Sequence, residues 1–263
     1  MKERILSGII MAIIVIAVLF GGYSWSPFCI TVFLGLLGMA SMYELLHNAA
    51  KITKFPIIIT ACMYAVVAIF ACQDSFVNVL FCSILYCVVA SIWVVLSYDD
   101  LNAEKAAFVY GVPTPFVIAF CTLNMLVNNS TGLYYLILLF GFSSICDMGA
   151  YFVGPAIGKH KLCPKVSPKK TIEGAIGGIG CSIVFTIVVM FAFNKFNIAT
   201  IALCIPMCML GIIGDLFAST IKRFANLKDF SNLIPGHGGV LDRLDSILMI
   251  APTMFLLYNF GII

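Results

Sequence analysis

Long runs of apolar residues, separated by short polar stretches, dominate this chain. A helix that crosses a bilayer needs about 20 predominantly apolar residues. The pattern predicts about nine transmembrane helices, at roughly 5–23, 27–46, 55–72, 76–98, 106–127, 132–154, 174–193, 198–220 and 247–262. The predicted fold is therefore an all-α, polytopic integral membrane protein.

The amino-acid composition supports this fold class and excludes a soluble domain. Hydrophobic residues make up 62% of the 263-residue chain and charged residues only 10%, whereas a soluble domain carries about 25% charged residues. The first apolar run follows Lys2 and Arg4, is too long for the core of a usual signal peptide and lacks a small-residue cleavage site. We expect it to be an uncleaved first span.

The basic residues are segregated to one side of the predicted spans. Of the 15 Lys and Arg residues, only Lys195 falls in a connection on the other side. Because cytoplasmic loops are enriched in basic residues, this segregation predicts a cytoplasmic N-terminus. The two longest connections, about 155–173 and 221–246, then also face the cytoplasm. We divide the chain into an N-terminal scaffold of about five spans, 1–130, and a C-terminal transmembrane region that carries both long loops, 131–263.

Two aspartates, Asp147 and Asp215, lie within predicted spans. A charged residue at the centre of a span costs about 2.5–3.5 kcal/mol on insertion scales, so neither aspartate is expected to face lipid. Each could form a structural ion pair or helix contact, or could act as a metal ligand or in an ion relay. For Glu44, at the end of the second span, the structural interpretation is favoured.

Helical spacing groups several polar residues near the end of the eighth span. Asp215, Ser219 and Lys222 follow an i, i+4, i+7 pattern and share one stripe if the helix continues. Asp242 and Asp245 share a face if the last helix begins early. Carboxylates in small number suit Mg²⁺, which binds through one or two carboxylates plus waters and substrate phosphates. The pattern predicts a magnesium site at these helix ends.

The two long loops carry candidate anion-binding features. Ile234 to Gly239 is too rich in Gly and Pro for regular helix, and we expect its glycines to expose N–H groups to a ligand. His237 in this loop could contact a phosphate, act as a general acid or simply be a loop residue. Ser167 to Thr171 leads directly into the seventh span, where a helix N-terminus with hydroxyls and lysines favours an anion.

Other residues of the first loop allow a plainer interpretation. Lys159 and Lys161 could only bind anionic headgroups or enforce topology. Four glycines at the start of the seventh span, at positions 174, 177, 178 and 180, predict close packing against a neighbouring helix. Carboxylates for a divalent cation, basic loops for a polyphosphate and a membrane location for a lipid together indicate phosphoryl or nucleotidyl transfer.

Two stretches resemble the signature of the phosphatidate cytidylyltransferase family, also called CDP-diacylglycerol synthases. The first runs from Ser219 to Asp245 and shows no departure from the family pattern: it includes Lys222-Arg223, Lys228-Asp229, Ser231, Leu233 to Pro235, His237-Gly238-Gly239, Asp242-Arg243 and Asp245. The second includes Asp147, Ala150 to Phe152, Gly154, Gly158-Lys159, Ser167-Pro168, Lys170-Thr171 and Glu173-Gly174. It departs at Pro155, where the family usually has Arg, and at Ile172, where an aromatic residue is common.

The resemblance implies that CTP and phosphatidic acid are converted to CDP-diacylglycerol and pyrophosphate. It implies a requirement for Mg²⁺ and leaves a second, monovalent cation such as K⁺ open. The implied catalytic residues are Asp215, Lys222, Arg223, Lys228, His237, Asp242 and Arg243. Those implied to bind the nucleotide or lipid phosphate are Ser167, Lys169, Lys170, Thr171, Ser219, Gly238 and Gly239. The metal ligands would be Asp215, Asp242, Asp245 and Asp147.

The expected partners are CTP, phosphatidic acid and membrane lipid, with no nucleic acid, and a homodimer is left open. The expected location is a bacterial inner (plasma) membrane with the active site at its cytoplasmic face. Two alternatives remain. A CTP-dependent lipid kinase would transfer the γ-phosphoryl group instead of the cytidylyl group. An ion or substrate transporter would line a path across the bilayer with acids, whereas the acids here are biased to one side.

Overall fold

The computed structural model describes residues 2–24, 26, 28–52, 76–98, 101–129 and 131–263, most of them helical. The helices are α1 (Lys2–Ser24), α2 (Phe28–Tyr43), α3 (Phe76–Leu96), α4 (Ala103–Gly111), α5 (Pro113–Val127), α6 (Gly132–Phe140), α7 (Cys146–Ile157), α8 (Ile172–Ala192), α9 (Ile198–Phe224) and α10 (Leu241–Asn259). Two π-helical turns interrupt this pattern: Glu44–Ala49 extends α2, and Gly141–Ile145 joins α6 to α7.

Seven helical segments of the described residues are long and apolar enough to cross a membrane. They are Ser7–Ser24, Phe28–Ala49, Val79–Leu96, Ala103–Val127, Gly132–Ile157, Ile172–Ala192 and Ile198–Phe224. The predicted third span, 55–72, lies outside the described residues, and the predicted ninth is α10, which is helical but is not one of the seven. The chain is an all-α polytopic membrane protein, as predicted. The count of nine spans and the cytoplasmic N-terminus stay predictions.

The first long loop contains a short β-hairpin that the sequence did not predict. Strand β1 (Lys161–Cys163) pairs antiparallel with β2 (Ser167–Thr171), and the Ile172 N–H donates to the His160 carbonyl, 2.9 Å away, to close the base. The segment is rich in lysine and proline and shows little of the alternation that marks a strand. The sequence analysis treated these residues only as part of a long loop.

The chain divides into two compact units. Unit 1 comprises Met1–Asn128 and Ala225–Arg243, and in it α5 packs against α2, α3 and α4 while α1 packs against α2. Unit 2 comprises Asn129–Phe224 and Leu244–Ile263, and in it α8 packs against both α7 and α9. The first boundary lies beside the predicted division at residue 130. Residues 225–243, however, group with the N-terminal part of the chain.

Small residues allow α7 and α8 to approach closely within unit 2. A Cβ atom on Gly178 would overlap the carbonyl oxygen of Cys146, and one on Gly174 would lie 3.1 Å from the Cα atom of Gly154. Gly177 faces Val153 in the same way. The prediction of close packing is confirmed for these three glycines, whereas a Cβ atom on Gly180 would meet no other atom within 4 Å among the described residues.

Lys195 marks one end of unit 2. Its ammonium lies 5.1 Å from the centre of the Tyr134 ring, at the start of α6. The Asn197 side chain donates to the Ile262 carbonyl, 3.2 Å away, which places the C-terminus at the same end. Because α8 spans about 30 Å between the hairpin and this end, the hairpin lysines lie at the opposite end of unit 2. Within this unit, Lys195 and the hairpin lysines thus lie at opposite ends, while the side of the membrane that each end faces stays a prediction.

Gly178→Ala tests the close contact of α7 with α8. The added methyl group must push the Cys146 backbone away, so we expect a melting temperature lower by roughly 5 °C in detergent. Gly180→Ala is the matched control on the same helix, and it should leave the melting temperature unchanged or raise it slightly, because Ala favours helix over Gly. Equal effects of the two substitutions would contradict the packing described.

Candidate active site

Three elements of unit 2 bring opposite charges together around Lys170. Strand β2 supplies Lys170, α7 supplies Asp147 and α9 supplies Asp215. The Lys170 ammonium lies 3.9 Å from the Asp147 carboxylate and forms a closer ion pair with Asp215. One ammonium therefore bridges two carboxylates from different membrane-spanning helices.

The local chain around Lys170 is held by side chains on either side of the hairpin. The Thr171 hydroxyl caps α8 by accepting from the Gly174 N–H, 3.1 Å away. The Glu173 carboxylate accepts from the Lys159 N–H at 3.1 Å and pairs with the His160 ring at 2.6 Å. Because Lys170 directly precedes the cap, these contacts fix where its side chain begins.

The carboxylates hold Lys170 in its charged form. Burial alone would lower the pKa of Lys170, but the neighbouring carboxylates of Asp215, Asp147 and Asp245 outweigh burial and raise this pKa above its ordinary value of 10.5. Lys170 is thus an ammonium at any physiological pH.

The predicted stripe on α9 is confirmed. The helix is continuous from Ile198 to Phe224, and the Ser219 hydroxyl donates to the Asp215 carboxylate over 3.5 Å, a long hydrogen bond. Lys222, one turn further on, is only 7% exposed. A lysine is rarely buried so far without anionic neighbours. The stripe therefore presents a carboxylate, a hydroxyl and an ammonium in sequence.

Asp245 adds a third carboxylate to this part of unit 2. Helix α10 begins at Leu241, early enough to include it, and Asp245 is only 9% exposed. Its carboxylate accepts from the Ser246 N–H at 2.7 Å and interacts electrostatically with Asp215, Lys222 and Asp147. Gly214 makes the approach possible, because a Cβ atom there would lie 2.8 Å from the Asp245 carbonyl oxygen. Asp147, Asp215 and Asp245 are thus grouped with Lys170 and Lys222.

The glycine-rich loop lies in unit 1 and forms a tight turn. The His237 N–H donates to the Ile234 carbonyl at 2.9 Å across Pro235 and Gly236, whose φ of 76° requires a glycine-like conformation. The Gly238 N–H also donates to the Ile234 carbonyl, at 3.1 Å, and the Gly239 N–H donates to the Asp242 carboxylate, at 2.9 Å. The expectation that these glycines expose their N–H groups was wrong for Gly238 and Gly239, because acceptors of the protein itself engage both N–H groups.

Asp242 lies in the first turn of α10 and organises this loop. Its Oδ2 atom accepts from the Phe230 and Gly239 N–H groups, each 2.9 Å away. Asp242 belongs to unit 1 and Asp215 to unit 2, so their shared coordination of one ion stays a prediction.

His237 contacts a residue of α1 that the sequence did not single out. The Ser7 hydroxyl donates to the Pro235 carbonyl at 2.9 Å and lies 2.8 Å from Nδ1 of His237. The Ser7 hydroxyl has only one proton, and this proton points toward the Pro235 carbonyl. The hydrogen bond between Ser7 and His237 therefore has Nδ1–H of His237 as its donor and the Ser7 oxygen as its acceptor. The neutral imidazole then carries its lone pair on Nε2.

The remaining predicted residues are distributed over both units. In unit 2, Ser167 pairs with Cys163 across the hairpin, while Lys169 and Arg223 are exposed. In unit 1, Lys228 and Arg243 are exposed.

Comparison with known proteins shows what the chain is similar to. The sequence model described as "Cytidylyltransferase family" matches residues 2–260. A protein of Staphylococcus saprophyticus named phosphatidate cytidylyltransferase is 34% identical over 264 residues, covering 98% of each chain. Proteins of the same name from Staphylococcus epidermidis and Staphylococcus aureus are 35% and 31% identical, again over 98% of each chain.

The chain belongs to the cytidylyltransferase family. The match extends over both units, so the family relation includes the N-terminal helices, where the sequence showed no recognisable motif.

One buried acid of the chain, Glu44, was predicted to have a structural role only. Glu44, at the end of α2, is 1% exposed and accepts from the Ser231 hydroxyl at 2.6 Å and from the Val240 and Leu241 N–H groups at 2.9 Å each. The hydrogen-bonded structural contact expected for Glu44 is confirmed. Its partners could not be predicted, because they lie almost 200 positions away in the chain.

The donor chemistry of the unit 2 carboxylates fits Mg²⁺. Among the described residues, no three His, Cys, Asp or Glu side chains already surround a common point. Magnesium does not need such a cage, since one or two carboxylates plus waters and substrate phosphates suffice. Asp147 and Asp215 already point hard oxygen atoms at one cation, the Lys170 ammonium.

Lys170→Met tests the bridging ammonium between Asp147 and Asp215. The substitution leaves Asp147 and Asp215 without their shared cation, so we expect a melting temperature lower by roughly 5 °C at neutral pH. The folded-state pKa of Lys170 lies above its ordinary 10.5, so this stabilisation is complete below that value and is lost only as pH rises through the folded-state pKa. The difference from wild type should therefore stay constant between about pH 7 and about pH 9.

The control for this experiment is Lys165→Met, which removes an exposed lysine from the turn of the same hairpin. It should leave the melting temperature within about 1 °C of wild type. A difference for Lys170→Met that disappears below about pH 9 would contradict the bridging role.

Proposed function

We propose that this chain transfers the cytidylyl group of CTP to phosphatidic acid and forms CDP-diacylglycerol and pyrophosphate. The observation that carries the proposal is the relation, over 98% of each chain, to proteins named phosphatidate cytidylyltransferase. The chain also groups three carboxylates with the half-buried Lys170 and the buried Lys222. A membrane protein can receive the lipid substrate directly from the bilayer.

The reaction is a displacement at the α-phosphorus of CTP. An oxygen of the lipid phosphate forms a bond to this phosphorus, the bond between the α-phosphorus and the bridging oxygen to the β-phosphorus breaks, and pyrophosphate leaves with the electron pair. The attacking phosphate is already an anion near neutral pH, so no strong general base is required. The main obstacle is the repulsion between two anions, which cationic groups reduce.

The basic residues of unit 2 suit this requirement. Neighbouring carboxylates hold Lys170 in its charged form, and Lys222 is buried. In our proposal the two lysines orient and neutralise substrate phosphates. Residues of the same unit that share this role are Ser167, Lys169, Thr171, Ser219 and Arg223. Lys228, His237 and Arg243 would contact phosphates from the glycine-rich loop. We assign Gly238 and Gly239 the role of shaping that loop, since their N–H groups are engaged within the protein.

The carboxylates are the proposed holders of metal. Asp215 would bind Mg²⁺, with Asp147, Asp242 and Asp245 as further ligands. When bound, Mg²⁺ supplies additional neutralisation of phosphate charge. A second, monovalent cation such as K⁺ belongs to the same proposal. Asp215 would have to give up part of its ion pair with Lys170 to bind a metal. The Lys170 ammonium could then turn toward a substrate phosphate.

We further propose that the enzyme resides in the inner membrane of a bacterium with its site at the cytoplasmic face. The family relatives named above are bacterial. The Lys170 cluster lies at the basic end of unit 2, opposite Lys195, and basic ends favour the cytoplasm.

A labelling experiment separates cytidylyl transfer from phosphoryl transfer. Purified protein, phosphatidic acid in mixed micelles and Mg²⁺ are incubated with CTP labelled at either the α- or the γ-phosphorus. We expect the α-label in the lipid product and the γ-label in pyrophosphate. The γ-label in lipid would instead indicate a lipid kinase and would contradict the proposal.

Asp215→Asn tests the cluster of unit 2. The amide cannot hold Lys170 or a metal as the carboxylate does, so we expect CDP-diacylglycerol formation to fall by about 10²–10³-fold while the protein remains inserted. Asp242→Ala should also abolish formation. Lys195→Ala, at the opposite end of unit 2, is the control and should retain wild-type turnover. Retained turnover in Asp215→Asn would refute the assigned role.

A further inference from the structure

The structure assigns to Glu44 the role of a positioning residue that fixes the glycine-rich loop of unit 1 through its buried carboxylate. This inference rests on the proposed function, because it gives the loop a part in cytidylyl transfer. Its structural part concerns contacts within unit 1 alone.

The π-helical turn after α2 presents two side chains to the same loop. Glu44 begins this turn, and Asn48 follows four residues later. The Asn48 side-chain amide donates to the Phe230 carbonyl at 2.8 Å, while Glu44 contacts Ser231 and the start of α10. Here the turn places one acid and one amide against consecutive residues of the loop.

The carboxylate of Glu44 satisfies three donors at once. Its Oε1 atom accepts from the Ser231 hydroxyl and the Val240 N–H, and its Oε2 atom accepts from the Leu241 N–H. Two of these donors are backbone groups at the N-terminus of α10, which would otherwise have no partner within the helix. Glu44 therefore supplies the negative charge that a helix N-terminus favours, and a phosphate is not needed there.

Gly239 shows how closely the loop backbone fits over this carboxylate. A Cβ atom at position 239 would lie 2.5 Å from Oε2 of Glu44 and 2.7 Å from Oε1. Any side chain would displace either the loop or the acid. The requirement for glycine at this position thus follows from Glu44, not from a ligand.

Glu44 and Asp242 hold successive residues of the loop from two directions. Asp242 accepts from the Gly239 N–H, and Glu44 accepts from the Val240 N–H immediately after it. The orientation of the first turn of α10 follows from both contacts, and that turn carries Asp242 and Arg243. Loss of the Glu44 contacts should therefore misplace side chains that we propose to contact CTP.

Glu44→Gln is the principal test. The amide keeps the size of the side chain but turns an NH₂ group toward a donor, which breaks at least one contact. A hydrogen bond to a charged group corresponds to about tenfold or more in an equilibrium constant, so we expect the KM for CTP to rise about tenfold, with a smaller change in kcat. Hydrogen exchange of the peptide covering 230–241 should accelerate, while exchange in α8 stays at the wild-type rate.

Ser231→Ala keeps the inference falsifiable if Glu44→Gln fails to fold. It removes one donor and leaves the carboxylate with the two backbone donors, so the protein should fold and show a smaller increase in the same KM and the same local exchange. Glu104→Gln, which removes an exposed carboxylate on α4, is the matched control for the loss of charge and should behave as wild type.

Two results would overturn the inference. One is that Glu44→Gln and Ser231→Ala both keep the wild-type KM for CTP and the wild-type rate of hydrogen exchange at 230–241. The other is that kcat and the melting temperature both fall while the KM for CTP is unchanged. Such a result would indicate that Glu44 only stabilises the fold. The exchange measurement does not depend on turnover. Absence of CDP-diacylglycerol formation by the wild type would refute the proposed function, and unchanged exchange would refute the role of Glu44.

Discussion

A carboxylate inside a membrane protein needs a partner, because removing its charge from water costs several kcal/mol. This constraint explains most of the polar architecture of the chain. In unit 2, Asp147 and Asp215 share the Lys170 ammonium. In unit 1, Glu44 and Asp242 are surrounded by peptide N–H groups instead.

These two solutions differ in what they allow chemically. Peptide N–H groups are fixed in the backbone, so their hydrogen bonds to Glu44 and to Oδ2 of Asp242 hold the loop in one shape. A lysine ammonium sits on a flexible side chain and can exchange one anion for another. The carboxylates of unit 2 are therefore the ones whose partner can move when a metal or a phosphate arrives. This difference leads us to place the charge neutralisation of cytidylyl transfer in unit 2 and the shaping of the loop in unit 1.

The sequence predicts those features that depend on local periodicity. The membrane-spanning helices follow from apolar run lengths, and the stripe from Asp215 to Lys222 follows from helical spacing, because α9 is regular to its end. Close packing at Gly174 and Gly178 could also be predicted, although Gly180 shows that a glycine alone does not identify the contacting face. The hairpin was missed because its strands are short and polar.

Contacts between distant segments could not be predicted in this way. Glu44 meets Val240 across 196 positions, and Ser7 meets His237 across 230. The glycines of the loop also suggested exposed N–H groups, whereas the Gly238 N–H donates to the Ile234 carbonyl and the Gly239 N–H to the Asp242 carboxylate. The central claim is that the carboxylates of unit 2 can accept a divalent cation in exchange for Lys170. Binding of Mn²⁺, as a paramagnetic substitute for Mg²⁺, can be measured by electron paramagnetic resonance on purified wild-type protein and Asp215→Asn. The account predicts binding to wild type and a Kd at least about tenfold higher for the variant, and equal binding to both would contradict it.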